Sequence, residues 1–124
     1  MIYILDDDER VRKGFEILLQ SAGMESNSYG SVKDFLDRGQ PSEQDTLVLD
    51  IHMPGMNGCD LLEYFGERNF HMPVIVVTAY DETTSRECAA RYGVLAYLRK
   101  PVDGDELLKL LPQVHQETIK NPEN

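Results

Sequence analysis

The stretch TLVLDIHMPGMNG, residues 46–58, decides the fold because it joins a strand, an acid and a turn. Its apolar run LVL suits a strand that is buried on both faces, yet the run ends on Asp50. Pro54 and Gly55 follow, and both residue types are typical of turns. A carboxylate at the end of a buried strand is costly unless it has a partner, so Asp50 requires an explanation.

Four apolar runs, this one included, share this character, and each is followed by a segment with helical signals. The runs are residues 2–5, 47–49, 74–77 and 94–98. Residues 9–22 predict the clearest amphipathic helix, because apolar side chains recur there at helical spacing and Gly23 follows as a stop signal. Those side chains are Val11, Phe15, Leu18, Leu19 and Ala22.

The remaining elements have weaker signals. Residues 24–29 predict a weak strand, and Ser31 can cap a short helix that ends before Gly39. Two more helices are predicted, one after Asn57 with two leucines and a phenylalanine on one side, and one over residues 105–111 with four leucines. Small and polar residues dominate the helix predicted over residues 84–92, so we expect it to be the least firmly anchored.

Five strand-helix units with continuously apolar strands predict an α/β fold with a parallel sheet covered by helices on both faces. Right-handed crossovers leave few arrangements, and the doubly wound order 2-1-3-4-5 fits best. In such sheets, ligands bind beyond the carboxyl ends of the strands, where the winding direction reverses between strands 1 and 3.

Length and charge narrow the possible functions. A chain of 124 residues with 41% hydrophobic content predicts one domain with its own core. The formal net charge of -10 disfavours direct nucleic-acid binding, which normally needs clustered Lys and Arg. No apolar run approaches the roughly 20 residues of a membrane span, and the start lacks the features of a secretion signal. We therefore expect a cytoplasmic domain without membrane contact.

The two cysteines, Cys59 and Cys88, form neither a CxxC pair nor a dense disulfide set. In a reducing compartment the simplest expectation is two buried or half-buried free thiols.

Acids gather at two predicted strand ends. Strand 1 ends in Asp6, Asp7 and Asp8, and strand 3 ends in Asp50. If these strands are neighbours, the carboxylates converge and destabilise one another unless a cation neutralises them. Mg²⁺ commonly takes one or two carboxylates and keeps waters that a phosphate can replace. We assign Asp8 to helix capping and the others to a magnesium site.

Strands 4 and 5 end on a hydroxyl and an ammonium group, at Thr78 and Lys100. A phosphoryl group on a carboxylate needs a metal, a point cation and a hydroxyl donor around its oxygens. Carboxylates act as nucleophiles in such transfers and form aspartyl-phosphates. The four strand ends together therefore make Asp50 a candidate nucleophile.

The stretches ILDDDERVR, LVLDIHMPGMNG, VVTAY and AYLRKP occur in this order, and with them residues 1–117 resemble the receiver domain of two-component response regulators. The resemblance implies the flavodoxin-like receiver fold and identifies Asp50 as the phosphoacceptor. It implies that Asp7, Asp50 and the backbone carbonyl of His52 bind Mg²⁺, with Asp6 acting through water. It implies that the His52 ring is exposed and that the side chains of His52 and Tyr80 flank the phosphoryl site.

The resemblance also implies a switch and partners. Thr78 and Lys100 would contact the phosphoryl oxygens, and Tyr97 would swing inward when Thr78 moves. The Lys100-Pro101 bond is expected to be cis. The implied partners are a sensor histidine kinase or phosphotransfer protein, a C-terminal output domain or separate effector, and a second copy in a phosphorylation-dependent homodimer.

Two alternative functions stay open. A hydrolase of the haloacid dehalogenase type also uses an aspartate nucleophile and Mg²⁺, but it places that aspartate after the first strand with a second acid two residues later, where this chain has His52. The other alternative is a receiver-like interaction module that is never phosphorylated. Residues 118–124 are expected to be a polar tail or the start of a linker.

Overall fold

The computed structural model describes residues 1–111, which form five strands and five helices in strict alternation. The predicted domain end at residue 117 and the tail over 118–124 lie outside the described residues. The elements are β1 Ile2–Leu5, α1 Glu9–Ser21, β2 Ser26–Tyr29, α2 Val32–Arg38, β3 Thr46–Asp50, α3 Gly58–Glu67, β4 Val74–Thr78, α4 Thr83–Tyr92 and β5 Ala96–Arg99. Helix α5 begins at residue 104 and is described as far as residue 111.

The strands form one parallel sheet in the order β2-β1-β3-β4-β5, which confirms the predicted fold. The chain reverses its winding direction at β1 and β3, which are hydrogen-bonded neighbours with Leu5 opposite Leu49. The residues that follow these two strand ends therefore share one edge of the sheet.

Alternation along the strands divides the core into two layers. Tyr3, Leu5 and the matching positions of β3 and β4 pack against α2, α3 and α4. The opposite positions, such as Ile2 and Ile4, pack against α1 and α5. β1, β3 and β4 are buried throughout, as expected for central strands of a parallel sheet. The edge strands β2 and β5 are only half-buried.

Side-chain caps fix the start of several helices. Asp8 accepts the Arg10 amide at α1, and Ser31 accepts the Asp34 amide at α2, as the sequence predicts. At α3, Asn57 and Asp60 form a reciprocal capping box. These caps orient the loops that carry the strand-end acids.

The strand that follows α4 is shorter than the apolar run at residues 94–98. β5 begins at Ala96, and Leu95 before it is 49% exposed, although its backbone N–H already donates to the Val74 carbonyl at 2.7 Å. Its last residue is Arg99, so Lys100 lies just after the strand. The Lys100-Pro101 bond is cis, as the resemblance implies.

The prediction of two free thiols is wrong in this structure. Cys59 of α3 and Cys88 of α4 form a disulfide, with their Cα atoms 5.8 Å apart. The sequence does not reveal this pairing, because the cysteines lie 29 residues apart and meet only when the two helices pack against the same sheet face.

Candidate functional site

Asp50 is held rigidly at the end of β3. Its exposed fraction is 5%, and one carboxylate oxygen, Oδ1, accepts the backbone N–H of His52 at 3.1 Å. α3 starts very close to this strand end, since a Cβ on Gly58 would lie 2.7 Å from the Ile51 Cα. Gly55 has φ +74°, which allows the tight turn between them. The loop therefore has little freedom to move the Asp50 side chain.

Three predicted acids converge at this edge. Carboxylate oxygens of Asp6, Asp7 and Asp50 all lie within 4.8 Å of one another, with Asp6 and Asp50 buried and Asp7 exposed. Around Mg²⁺, ligands at about 2.0 to 2.1 Å stand about 4.2 Å apart when they are opposite one another. Because no two of the three oxygens are more than 4.8 Å apart, they fit a hard divalent cation with small adjustments.

Lys100 reaches the same place from the end of β5. Its Nζ donates to Asp6 Oδ2 at 2.7 Å and to Asp50 Oδ2 at 3.3 Å. Its backbone N–H donates to the Thr78 carbonyl at 2.8 Å, which extends the β4 pairing to Lys100. Three carboxylates and one ammonium leave a formal charge of −3 + 1 = −2, which matches one divalent cation.

Burial changes the protonation behaviour of this pair. Loss of solvation raises the pKa of the Asp50 carboxyl, and the charge of Asp6 raises it further, against the opposing effects of the His52 amide and Lys100. Burial alone would lower the pKa of Lys100, but its bonds and charge interactions with Asp6 and Asp50 outweigh this and raise it. The surroundings therefore stabilise the charged form of Lys100, whereas the charged form of Asp50 lowers the stability of the fold.

Thr78 is fully buried at the end of β4. Its hydroxyl donates to the Tyr80 carbonyl at 2.8 Å and accepts the Tyr80 N–H at 3.1 Å. This pair of bonds folds the β4–α4 loop back over the strand end. The hydroxyl is already engaged, so any other acceptor must compete with the Tyr80 carbonyl.

The expectation that the His52 ring is simply exposed is wrong. The ring is half-buried, and its Nε2 lies 3.2 Å from the Tyr80 carbonyl and 3.2 Å from Ser85 Oγ in α4. A carbonyl can only accept, so the Tyr80 contact requires the tautomer with hydrogen on Nε2. The Tyr80 ring lies edge-on at a centroid distance of 5.6 Å. His52 therefore connects the loop between β3 and α3 to α4.

Tyr97 is half-buried in β5, with its ring packed beside the core layer that contains α4. Its hydroxyl is shielded from water and has no hydrogen-bond partner of normal geometry among residues 1–111. Burial raises the pKa of Tyr97, and the charge of Asp81 adds to this. The Arg86 guanidinium lies 5.2 Å from the ring centroid and forms an ion pair with Asp81.

Sequence reasoning missed two supporting residues. Arg12 Nη1 donates to the Asp6 backbone carbonyl at 2.7 Å and so fixes the end of β1 from α1. Ser85 is buried and contacts the His52 ring. Neither has a sequence signal, because both contacts join residues brought together by helix packing. A helical repeat identifies a buried face but not which polar atom that face meets.

Comparison with known proteins agrees with this geometry. Residues 2–112 match the response regulator receiver domain family. The transcriptional regulatory protein FixJ of Azorhizobium caulinodans is 35% identical over 102 residues, which cover 82% of this chain and 48% of FixJ. The DNA-binding transcriptional regulator NtrC of Klebsiella pneumoniae is 34% identical over 124 residues, covering 98% of this chain and 26% of NtrC. The chain thus spans half or less of these relatives.

Solved structures show the same fold. The crystal structure of FixJ-N superposes with a TM-score of 0.80 at 26% identity, covering 93% of this chain and 92% of that one. A response regulator receiver protein from Pseudoalteromonas atlantica gives a TM-score of 0.83 at 22% identity, covering 94% and 98% of the two chains. The flavodoxin-like receiver fold is therefore confirmed, and this chain belongs to the response regulator receiver domain family.

Proposed function

We propose that this domain is a signalling switch that accepts a phosphoryl group on Asp50 from a phosphohistidine of a sensor histidine kinase or phosphotransfer protein. The observation that carries the proposal is the convergence of Asp6, Asp7 and Asp50 within 4.8 Å, with the Lys100 ammonium in contact with two of them. The raised pKa of Asp50 supports the proposal, because perturbed pKa values cluster at functional sites.

The chemistry is an in-line transfer between two side chains. An Asp50 carboxylate oxygen attacks phosphorus, an O–P bond forms, and the P–N bond to the donor imidazole breaks. Asp7, Asp50 and the His52 carbonyl would hold Mg²⁺, with Asp6 acting through water. When bound, the metal neutralises charge on the phosphoryl oxygens. The domain assists its own phosphorylation and dephosphorylation but has a regulatory role.

Lys100 and Thr78 would receive the remaining phosphoryl oxygens. Lys100 now divides its donors between Asp6 and Asp50, so a new oxygen on Asp50 lies within its reach. Thr78 must give up the Tyr80 carbonyl before its hydroxyl can donate elsewhere. Phosphorylation adds about −1.5 to −2 charge units at neutral pH, which favours both donors turning toward it.

The same movement connects the site to α4. Freeing the Tyr80 carbonyl from Thr78 loosens the β4–α4 loop, which His52 links to Ser85 of α4. Space vacated by Thr78 would admit Tyr97 and remodel the face around residues 84–98. This is a population shift between two packings, in which the phosphoryl group favours one of them.

The partners follow from the family. Because the chain spans 48% of FixJ and 26% of NtrC, we propose that the face around residues 84–98 controls a C-terminal output domain or a separate effector. A phosphorylation-dependent homodimer is a further use of this face. The net charge of -10 disfavours nucleic-acid binding by the domain itself. Among residues 1–111, none of the helices has both the length and the apolar character needed to cross a membrane. We propose a cytoplasmic location.

Intact mass spectrometry with acetyl phosphate and Mg²⁺ tests phosphate acceptance. The wild type should gain one phosphoryl group, Asp50→Asn should gain none, and the matched control Asp8→Asn should label like the wild type because Asp8 only caps α1. An unlabelled wild type would favour the interaction module. Sustained turnover of a simple phosphate ester would instead favour the hydrolase.

A further inference from the structure

The disulfide between α3 and α4 lies outside the phosphoryl site and has no role in its chemistry. Its Cα separation of 5.8 Å is within the range that a disulfide spans without backbone movement. Disulfides that form in a reducing compartment are usually transient or redox-sensing. In the cytoplasmic location proposed for this chain, the pair would open and close with redox conditions.

The bond is also the strongest tie that α4 has. The buried residues of α4 are Ser85, Cys88 and Ala89, all small, and its N-terminus lacks a side-chain cap. α3 instead buries Leu61, Leu62 and Phe65 and begins with a capping box. Opening the bond leaves α4 with much less to hold it against the sheet.

The cysteine pair lies close to the surface. A depression of about 120 Å³ opens between the two helices. Its lining residues are Leu62, Glu63, Gly66, Cys88, Arg91 and Tyr92. Cys88 is 4% exposed, whereas Cys59 is half-buried, so Cys59 is the more exposed residue of the pair.

We propose that Cys59 and Cys88 form a redox-controlled tie that restricts the movement of α4 relative to α3. A hydroperoxide closes the tie, and a dithiol reductant opens it. Where the domain also works as the proposed phosphoryl switch, a closed tie reduces the response of α4 to phosphorylation without changing phosphate acceptance. The effect on the response to phosphorylation rests on the proposed function, whereas the redox-controlled tie between the helices does not.

The oxidation is balanced in two steps. The Cys59 thiolate attacks a peroxide oxygen, the O–O bond breaks, and a sulfenic acid and one water form from hydrogen peroxide. The Cys88 sulfur then attacks Cys59 sulfur, the S–O bond breaks, the disulfide forms, and a second water leaves. The two thiols lose two electrons and two protons, which the peroxide takes up. A dithiol reverses the bond by thiol–disulfide exchange and becomes a disulfide itself.

Thiol counting and amide hydrogen exchange test the tie without any phosphodonor. The wild type is reduced with dithiothreitol, and one half is then oxidised with hydrogen peroxide. The oxidised half should have no alkylatable thiol, and its Thr83–Tyr92 amides should exchange at least about fivefold more slowly than in the reduced half. Helix α1 serves as an internal reference that should not change.

Cys59→Ala and Cys88→Ala are independent controls, and in both the redox treatments should leave α4 exchange the same. Two free thiols after peroxide, oxidation to sulfinic acid in place of a disulfide, or equal α4 exchange in the two wild-type forms would each overturn the proposal. If one variant fails to fold, the other still supplies the control.

Beryllofluoride with Mg²⁺ then tests the link to the switch, with NMR on both redox forms. Amides near Asp50 and Lys100 should shift equally in both, while the response of α4 should be several-fold smaller in the oxidised form. An equal α4 response would overturn redox control of the switch. No shift near Asp50 in either form would refute the proposed function, while the exchange result would still decide whether the tie restrains α4.

Discussion

Helices α3 and α4 cover the same face of the sheet and contact each other, yet they are attached in different ways. α3 buries two leucines and a phenylalanine, and its N-terminus has a reciprocal capping box. α4 buries a serine, a cysteine and an alanine and starts at Glu82 without a side-chain cap. Apolar burial stabilises by about 25 cal/mol per Å², so small side chains leave α4 weakly held.

The difference separates a fixed element from a movable one. α3 follows directly from the Asp50 loop and holds the end of β3 in place through the close approach at Gly58. α4 follows the loop that Thr78 and His52 bind through the Tyr80 carbonyl. A switch needs both, because a rigid site must transmit its state to a part that can move at low cost.

The largest expected effect comes from removing an α3 anchor. Leu61→Ala should lower the free energy of unfolding by about 2 to 5 kcal/mol, because it leaves a cavity in the core. The matched α4 variant, Ala89→Gly, should cost only about 1 kcal/mol, chiefly through lower helix propensity. Urea unfolding of reduced protein measures both. Equal losses would mean that α4 is as firmly packed as α3.

Breaking the covalent tie should have the next largest effect. Cys59→Ser should destabilise the oxidised protein by about 3 to 4 kcal/mol, because the bond closes a loop of 29 residues in the unfolded chain. Under reducing conditions the same substitution should change stability by less than about 1 kcal/mol. Unfolding curves with and without dithiothreitol make the comparison, and a loss that is independent of redox state would point to packing.

A smaller effect is expected at the site itself. Asp50 has a raised pKa in the folded state, so its protonated carboxyl favours folding. This contribution to the free energy of unfolding is complete below the pKa of the unfolded chain and is lost as pH rises through the folded value. Asp50→Asn should therefore stabilise the metal-free protein at neutral pH, and this gain should vanish below about pH 4, where the carboxyl is protonated in both the folded and the unfolded chain. Urea unfolding across this pH range is the measurement. A less stable Asn variant at pH 7 would contradict the inference that ionised Asp50 destabilises the folded protein.

The smallest effects concern the helix starts. Asn57→Ala should cost about 1 kcal/mol because it removes the α3 capping box, whereas Glu82→Ser should gain about 0.5 to 1 kcal/mol by giving α4 a cap. Thermal unfolding of the two variants should move the midpoint in opposite directions. If Glu82→Ser has no effect, the α4 amides already have partners.

The positions of the side chains at the strand ends could be predicted, because they follow from the local order of residues. Each central strand is a continuous apolar run, and Asp50 and Thr78 are the last residues of theirs. Lys100 follows its strand directly, and parallel neighbours bring such ends together. The end of β5 was placed one residue too far, at Lys100, whereas the strand ends at Arg99.

Contacts between residues that are far apart in the sequence could not be predicted. The His52–Ser85 contact joins residues 33 positions apart, and the disulfide joins residues 29 apart. Both depend on how α3 and α4 are placed across one sheet face, which their hydrophobic patterns do not specify. A polar side chain on a surface loop looks solvated until the neighbouring helix is in position.

Hydrogen exchange of the reduced protein with and without beryllofluoride and Mg²⁺ tests most directly whether the site acts through the weakly held helix. We expect α4 and the following strand to change their exchange rates while α3 does not. Saturated binding near Asp50 with unchanged exchange in α4, or with a change in α3 as large as that in α4, would contradict it.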